Sequence, residues 1–505
     1  MHLAAREVVE GNYERSSPMA HPARAAKTFG HPVPINLMPS TFGPDYVENV
    51  VAPYILSNRY TGDQPVLPML DLIFGKAGST MAHIWGLLYD GWQDAGEEEG
   101  QTVFLQDYEN RGPHNERKKI YYSAVTPDLY DPMYAPKIKR FIDRLFVEEN
   151  AGQPLMHKYY EQYFDMYWDL HVGVAGDEIP AEMRKIGQSF NAVLGFFLPT
   201  LDVVRENYMR VRELRQPLKE WLDARIQDVI DGKVPNPEAT FVYYWVANGG
   251  LGENFRRKDV VFECFHNFLA FSQWGNTLYN VMARLQAVNG DPQARSSFQA
   301  TMTNGPDEPD DGPFTPLDRL AMELFRTIAP NSASISRMAI EQGFMGEGYS
   351  LIFHPHASTS RDPRHWTNPD AFDPDRFKTA RCSDQNDERR SSELGLARCP
   401  FSPEAFEVND GRHAQLTNSI FGTVYGVVDD RPYPVCDTAG YAPFGFGYRR
   451  CPGEFLTMNF IKDVLRKVWR DHIEFETLAL PQAEVLPVGP ITVVHDNIGF
   501  HQGHS

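Results

Sequence analysis

One cysteine in this chain sits in surroundings suited to chemistry. The segment PFGFGYRRCPGE runs from Pro443 to Glu454 and contains Cys451. Gly445 and Gly447 permit a tight backbone with a close approach to whatever lies beside the thiol. Arg449 and Arg450 put positive charge next to it, which favours thiolate. Pro452 suits the first turn of a following helix, so Cys451 lies near a helix N-terminus, whose dipole also stabilises an anion. A thiolate held in a glycine loop is either a nucleophile or a metal ligand. An inert cysteine in a turn has no need of the arginines and glycines around it.

A second place stands out. Val260 to Leu285 reads VVFECFHNFLAFSQWGNTLYNVMARL and is apolar nearly all round. That is the pattern of a helix running through the middle of a protein. Inside it lie His266, Asn267, Ser272, Gln273, Asn276 and Thr277. Polar groups there need partners, or they line a site. No carboxylate occurs between Glu263 and Asp291.

With these residues in view, the sequence resembles the cytochrome P450 family. The family's haem loop is Phe-x-x-Gly-x-Arg-x-Cys-x-Gly, and Phe444, Gly447, Arg449, Cys451 and Gly453 fill every fixed position. The resemblance implies haem b (iron protoporphyrin IX) as cofactor, with Cys451 as the axial thiolate on its iron and Arg449 pairing with a propionate. Two further motifs follow the family's order. AMELFRTIAP supplies Glu323 and Arg326, whose i,i+3 spacing puts both on one helix face. NPDAFDPDRF supplies Asp373, Pro374, Arg376 and Phe377. The resemblance implies that Glu323, Arg326 and Arg376 form a buried charged network behind the haem loop. GPHNERKKIYYSAVTP (Gly112–Pro127) resembles the helix that contacts haem propionates, with His114 and Lys118 at its basic positions. A solvated basic patch is the plain alternative. Arg337, in NSASISRMAIEQ, is a further propionate candidate or else a surface strand residue.

The chain departs from the family in the long helix. The family has an acid followed by an alcohol there, and these organise proton delivery to iron-bound oxygen. One register puts Asn276 at the alcohol position and Gly275 at the acid. The other puts Asn276 at the acid and Thr277 at the alcohol. Either way the carboxylate is missing, and an Asn side chain does not titrate. Ser272, Gln273, Asn276 and Thr277 are the candidate catalytic residues. The resemblance implies a monooxygenase with an altered relay, oxidising a small hydrophobic substrate with oxygen and electrons from a separate protein. A hydroperoxide isomerase or dehydratase, or a peroxygenase, needs no reductase and stays open. So does a non-catalytic haem protein.

The elements that must position these residues are mostly helices. The expected fold class is mainly α with a small β portion, a cytochrome P450-like single large domain over 1–505. Residues 1–60 are rich in Pro, Gly and His and read as loop and short strands. Helical patterns cover Lys137–Phe146, Pro180–Leu198 and Asn207–Ile230, the last with a kink expected at Pro217. Asn304–Pro316 reads as an exposed loop, Leu317–Ala329 and Pro452–His472 as helices, and the tail as strands. The meander over 378–441 is extended, ahead of the haem-ligand loop at 443–454. Cys382, Cys399 and Cys436 lie in it without Cys-x-x-Cys spacing. Phe196, Phe197, Phe271 and Trp274 either line a pocket beside Ala270–Thr277 or pack the core.

Composition narrows the partners. The 505 residues include 67 acidic and 48 basic side chains, a net charge of -19, which argues against a nucleic-acid binder. Five cysteines do not make a disulfide scaffold. Charges at Arg6, Glu7 and Glu10 interrupt the N-terminus, so no signal peptide is read there, and no run is long enough for a transmembrane anchor. A soluble cytoplasmic protein is expected. Arg117, Lys118, Lys119, Arg450, Lys462, Arg466, Lys467 and Arg470 gather in segments expected near the cysteine. In the family that face receives an electron donor, so a ferredoxin or flavoprotein is the expected partner. A solvated helix with basic later turns is the alternative.

Overall fold

The computed structural model describes residues 120–184, 201–308, 314–328, 366–378, 453–489 and 492–503. It also gives the backbone of 334–340 and 348–354 and short pieces that include 117, 427–428, 431–432, 441, 443–444 and 451. His114, Lys118, Gly447, Arg449, residues 1–60, Phe196, Phe197, the meander cysteines and nearly all of 378–441 lie outside the described residues. Of Pro180–Leu198, only the beginning is described.

Helices dominate. α1 spans Ala135–Leu145, and its buried Ile138, Phe141, Ile142 and Leu145 recur at helical spacing. α2 spans Leu155–Val172 and ends at Gly173, whose φ of 71° only glycine adopts without strain. α3 spans Leu201–Ile230 and continues through Pro217, so the proline does not divide the helix. α4 covers Phe241–Gly249 and α5 Arg257–Leu285. α6 covers Pro292–Thr303, α7 Pro316–Ile328 and α8 Glu454–Arg470. The periodicities thus place α1, α5, α7 and α8 to within a few residues.

The strands form four antiparallel pairs among the described residues. β1 (Ser334–Ile340) pairs β2 (Gly348–His354), and the short β3 (Val427–Val428) pairs β4 (Arg431–Pro432). In the tail, β5 (Ile473–Thr477) pairs β8 (Ile498–Gln502), and β6 (Glu484–Gly489) pairs β7 (Thr492–Asp496).

α5 is the axis. It packs against α2, α3, α6 and α7 and against β5, β6 and β8. Its start is fixed by a capping box, in which the Arg256 amide donates to Asp259 Oδ2 at 2.8 Å. The tail closes the structure from far along the chain. Asp496 of β7 accepts the amides of Met156 at 3.1 Å and His157 at 2.8 Å, capping the N-terminus of α2 from another element. The Asn304–Pro316 stretch is not simply an exposed loop. Phe314 is fully buried, and Arg319 anchors Asp310 with two bonds of 2.6 and 2.7 Å.

Asn267 of α5 has the partners that its position requires. Tyr121 Oη donates to its Oδ1 at 3.1 Å, and its Nδ2 lies 3.1 Å from His171 Nε2. His171 Nδ1 lies 2.8 Å from the Tyr167 carbonyl, which only accepts, so Nδ1 carries the proton and Nε2 accepts from Asn267. A second proton on His171 would face the Asn267 amide donor. Burial accordingly lowers the His171 pKa to about 3, with Lys137 adding to the effect and the Tyr167 carbonyl opposing it. The folded value is below the unfolded one near 6.5, so this contribution to stability is complete above pH ~6.5 and is lost as pH falls towards 3. His171→Gln should flatten the acid limb of a urea-denaturation pH series, where the slope difference approaches about 1.4 kcal/mol per pH unit. Parallel acid limbs for the two proteins would contradict the assignment.

Candidate functional site

The cysteine loop is closed by the backbone. The Cys451 amide donates to the Phe444 carbonyl at 2.9 Å. Cys451 is partly exposed and forms no disulfide, whereas Cys264 on α5 is fully buried and burial pushes its thiol pKa up. Gly453 precedes α8 with φ of −86°, so its backbone does not require glycine. A Cβ there would lie 3.8 Å from Cys451 Sγ and 3.9 Å from Thr457 Oγ1. Glycine therefore keeps the space beside the sulfur open, a cradle that a side chain would fill. A partly exposed cysteine that forms no disulfide and is bordered in this way suits a metal ligand.

Behind the loop the three charged residues meet. Arg326 clasps Glu323 with two bonds, Nε to Oε2 at 2.7 Å and Nη2 to Oε1 at 2.8 Å. Arg376 Nε adds a bond to Glu323 Oε1 at 3.1 Å. Glu323 and Arg326 are fully buried. The remaining donors are also used. Arg326 bonds the carbonyls of Ser360, Pro369 and Ala371 at 2.7, 2.9 and 3.1 Å, and Arg376 those of Thr367 and Ala371 at 3.0 Å each. The Trp366 ring lies under both guanidinium groups, at 5.3 and 5.7 Å. The neighbouring Phe325 touches Phe444 at 4.9 Å between ring centroids, so α7 holds the cysteine loop as well.

The α5 candidates are brought together on two adjacent turns. Ser272 and Thr277 are buried, Asn276 is nearly so, and Gln273 is half-buried. Thr277 Oγ1 donates to the Gln273 carbonyl at 2.9 Å. Asn280 Nδ2 donates to both the carbonyl and Oδ1 of Asn276, each at 2.8 Å. Gly275 faces α2. A Cβ on it would collide with Tyr160 Oη and lie 3.0 Å from Tyr160 Cζ. In the register that puts position 275 at the acid, no carboxylic side chain fits there as the chain is packed. Tyr160 carries no sequence signal for this role; only the packing of α2 on α5 reveals it.

Of the four aromatic pocket candidates, the two described residues pack the core. Trp274 Nε1 donates to Thr457 Oγ1 at 2.9 Å and its ring stacks on Phe460 at 4.4 Å, tying α5 to α8. Phe271 meets Tyr167 and His171 at 5.5 and 5.4 Å. Arg337 lies on β1, opposite Leu351 of β2.

The basic face expected on α8 is neutralised within the fold. Lys462 pairs with Asp318 at 2.5 Å, and Arg466 with Asp307 at 2.6 Å and Asp463 at 2.9 Å. Lys467 pairs with Asp143 at 2.8 Å and Asp471 at 2.6 Å, and Arg470 reaches the same two carboxylates at 3.3 and 2.8 Å. Four cations on one helix thus meet five aspartates. Arg117 is buried rather than presented to solvent; burial lowers its pKa, with Asp259 and Glu263 of α5 opposing that effect. The sequence showed the cations; their counter-charges come from elements distant in the chain. No helix among the described residues is long and apolar enough to cross a membrane.

No family model matches the sequence, and no curated protein matches it. Solved structures do. The haem domain of a cytochrome P450DA mutant aligns over 90% of this chain and 87% of its own length, at 13% identity and a TM-score of 0.54. A zebra fish cytochrome P450 solved with progesterone aligns over 86% of this chain and 90% of its own, at 16% identity and a TM-score of 0.52. The chain has the cytochrome P450 fold, mainly helical with a small antiparallel β portion.

Removing one member of the buried trio leaves charge without compensation. Glu323→Ala should lower the unfolding free energy by about 3–5 kcal/mol, or leave no folded protein, in chemical denaturation followed by circular dichroism. A loss below about 1 kcal/mol would contradict the clamp, since that is the range of a solvent-exposed pair.

Proposed function

We propose that this protein is a haem-thiolate oxidoreductase that binds haem b on Cys451 and oxidises a small hydrophobic substrate. The observation that carries this is the accessible, unbridged Cys451 at the start of α8, fixed to α7 and its buried trio, within a cytochrome P450 fold. Haem held by a thiolate activates oxygen or peroxide, because the sulfur pushes electron density to iron and favours O–O cleavage. Cys451 supplies that ligand, and Gly453 leaves room for it. Arg449, with His114, Lys118 and Arg337, would hold the propionates, while Phe444 and Gly447 shape the loop. Glu323, Arg326 and Arg376 hold the loop's support in place. Asn276 and Thr277, with Ser272 and Gln273, would orient hydrogen bonds on the haem side of α5.

Monooxygenation with electrons from a ferredoxin or flavoprotein is the leading reaction. A second reading, direct use of peroxide or a hydroperoxide substrate, is favoured by two observations. In the register that puts the acid at 275, its slot is filled by Tyr160, and the α8 cations that would attract an acidic donor are already paired. The two reactions separate cleanly in a substrate screen by spin-state shift followed by turnover. The monooxygenase consumes oxygen and NAD(P)H when given ferredoxin and its reductase. The peroxide-type enzyme turns over without oxygen or reductant.

Asn276→Asp probes the proton supply. The change keeps the shape and an acceptor for Asn280. If oxygen-dependent turnover is limited by proton delivery, the variant should raise it; unchanged or reduced turnover would count against that limit. Oxygen uptake with product analysis reads the difference.

A further inference from the structure

At position 275, the acid position in one of the two registers, α2 comes close to α5. A side chain at Gly275 would have to displace Tyr160, whose Oη occupies the space, with Tyr159 Cε1 3.3 Å from where a Cβ would stand. Tyr160 is 8% exposed, and its hydroxyl has no hydrogen-bond partner among the described residues. A buried hydroxyl without a partner is costly, and phenylalanine would fill the same volume without that cost. Of the three buried tyrosine hydroxyls on α2 that have no partner among the described residues, this one lies against the one residue of α5 without a side chain.

We propose that the Tyr160 hydroxyl takes the polar place of a carboxylic side chain at position 275, as a positioning residue that donates a hydrogen bond into the α5 groove beside Gly275 and Asn276. The molecule it orients is a small oxygen donor or acceptor, either water or a hydroperoxide. Unlike a carboxyl group, the phenol does not change charge at ordinary pH. Burial raises its pKa well above the usual phenol range, and Asp496 acts in the same direction. It is a permanent donor where a carboxyl would alternate between donor and acceptor. The proposal deepens the haem-thiolate function and rests on it.

The same helix supplies its own controls. Tyr159 and Tyr163 also carry buried hydroxyls without partners among the described residues, and their rings stack at 5.3 Å. Neither oxygen is the one that blocks Gly275. Tyr159→Phe, Tyr160→Phe and Tyr163→Phe are made in the full-length protein loaded with haem. All three should fold with unchanged or raised melting temperature. Only Tyr160→Phe should lower turnover, on the order of a hundredfold. It alone should also change the solvent hydrogen isotope effect and the ratio of product formed to oxidant consumed.

A readout independent of activity tests the contact itself. Gly275→Ala should lower the melting temperature, and adding Tyr160→Phe should recover much of that loss. The proposal is overturned if Tyr160→Phe matches the two controls in isotope effect and product ratio, or if it does not relieve Gly275→Ala. Failure of the underlying function looks different: the unaltered protein would itself lack a thiolate-type haem spectrum.

Discussion

The bidentate grip of Arg326 on Glu323, completed by Arg376, is the interaction on which the site depends. These charges lie where water cannot reach them, and they are tolerable only because each guanidinium and carboxylate group finds partners. Those partners are mostly backbone carbonyls between Ser360 and Ala371, with the Asp373 amide donating to Glu323 at 2.8 Å. The cluster therefore fixes Ser360 and the stretch from Thr367 to Asp373 to α7. One residue away, Phe325 braces Phe444, whose carbonyl receives the Cys451 amide. A charge-compensation problem and the placement of one sulfur are thus solved by the same helix.

A second constraint acts on α5. It is buried along most of its length, so each polar side chain must be matched or aimed at a site. Asn267 is matched by Tyr121 and His171. Thr277 and Asn280 turn back onto carbonyls of the preceding turn. Gly275 is different: it permits α2 to come close enough for a tyrosine oxygen to occupy a side-chain position. The absence of a side chain at 275 and the position of Tyr160 are thus one packing arrangement.

What could be read from the sequence follows from locality. The Phe444–Gly453 loop and the Glu323–Arg326 pair are spaced by short-range rules, and the segment holding Arg376 is recognisable by its pattern. α5 was legible because nothing charged interrupts it for most of its length. Interactions between distant segments were not legible. Asp496 caps α2 from more than 300 positions away, and Tyr160 meets Gly275 across two helices. The basic residues of α8 looked like a docking face because their aspartates come from α1, α7 and the loop after α6 as well as from α8 itself. Trp274 could have lined a pocket or packed the core, and its indole N–H is used by Thr457. In each case the residue type was visible and its neighbour was not.

The central claim is that Cys451 ligates haem iron as a thiolate. The most direct measurement is the ferrous–CO absorption spectrum of the purified, haem-loaded protein. A Soret band at the red-shifted position of thiolate-ligated haem is the predicted result, abolished by Cys451→His. A band at the histidine-ligated position in the unaltered protein would contradict the account.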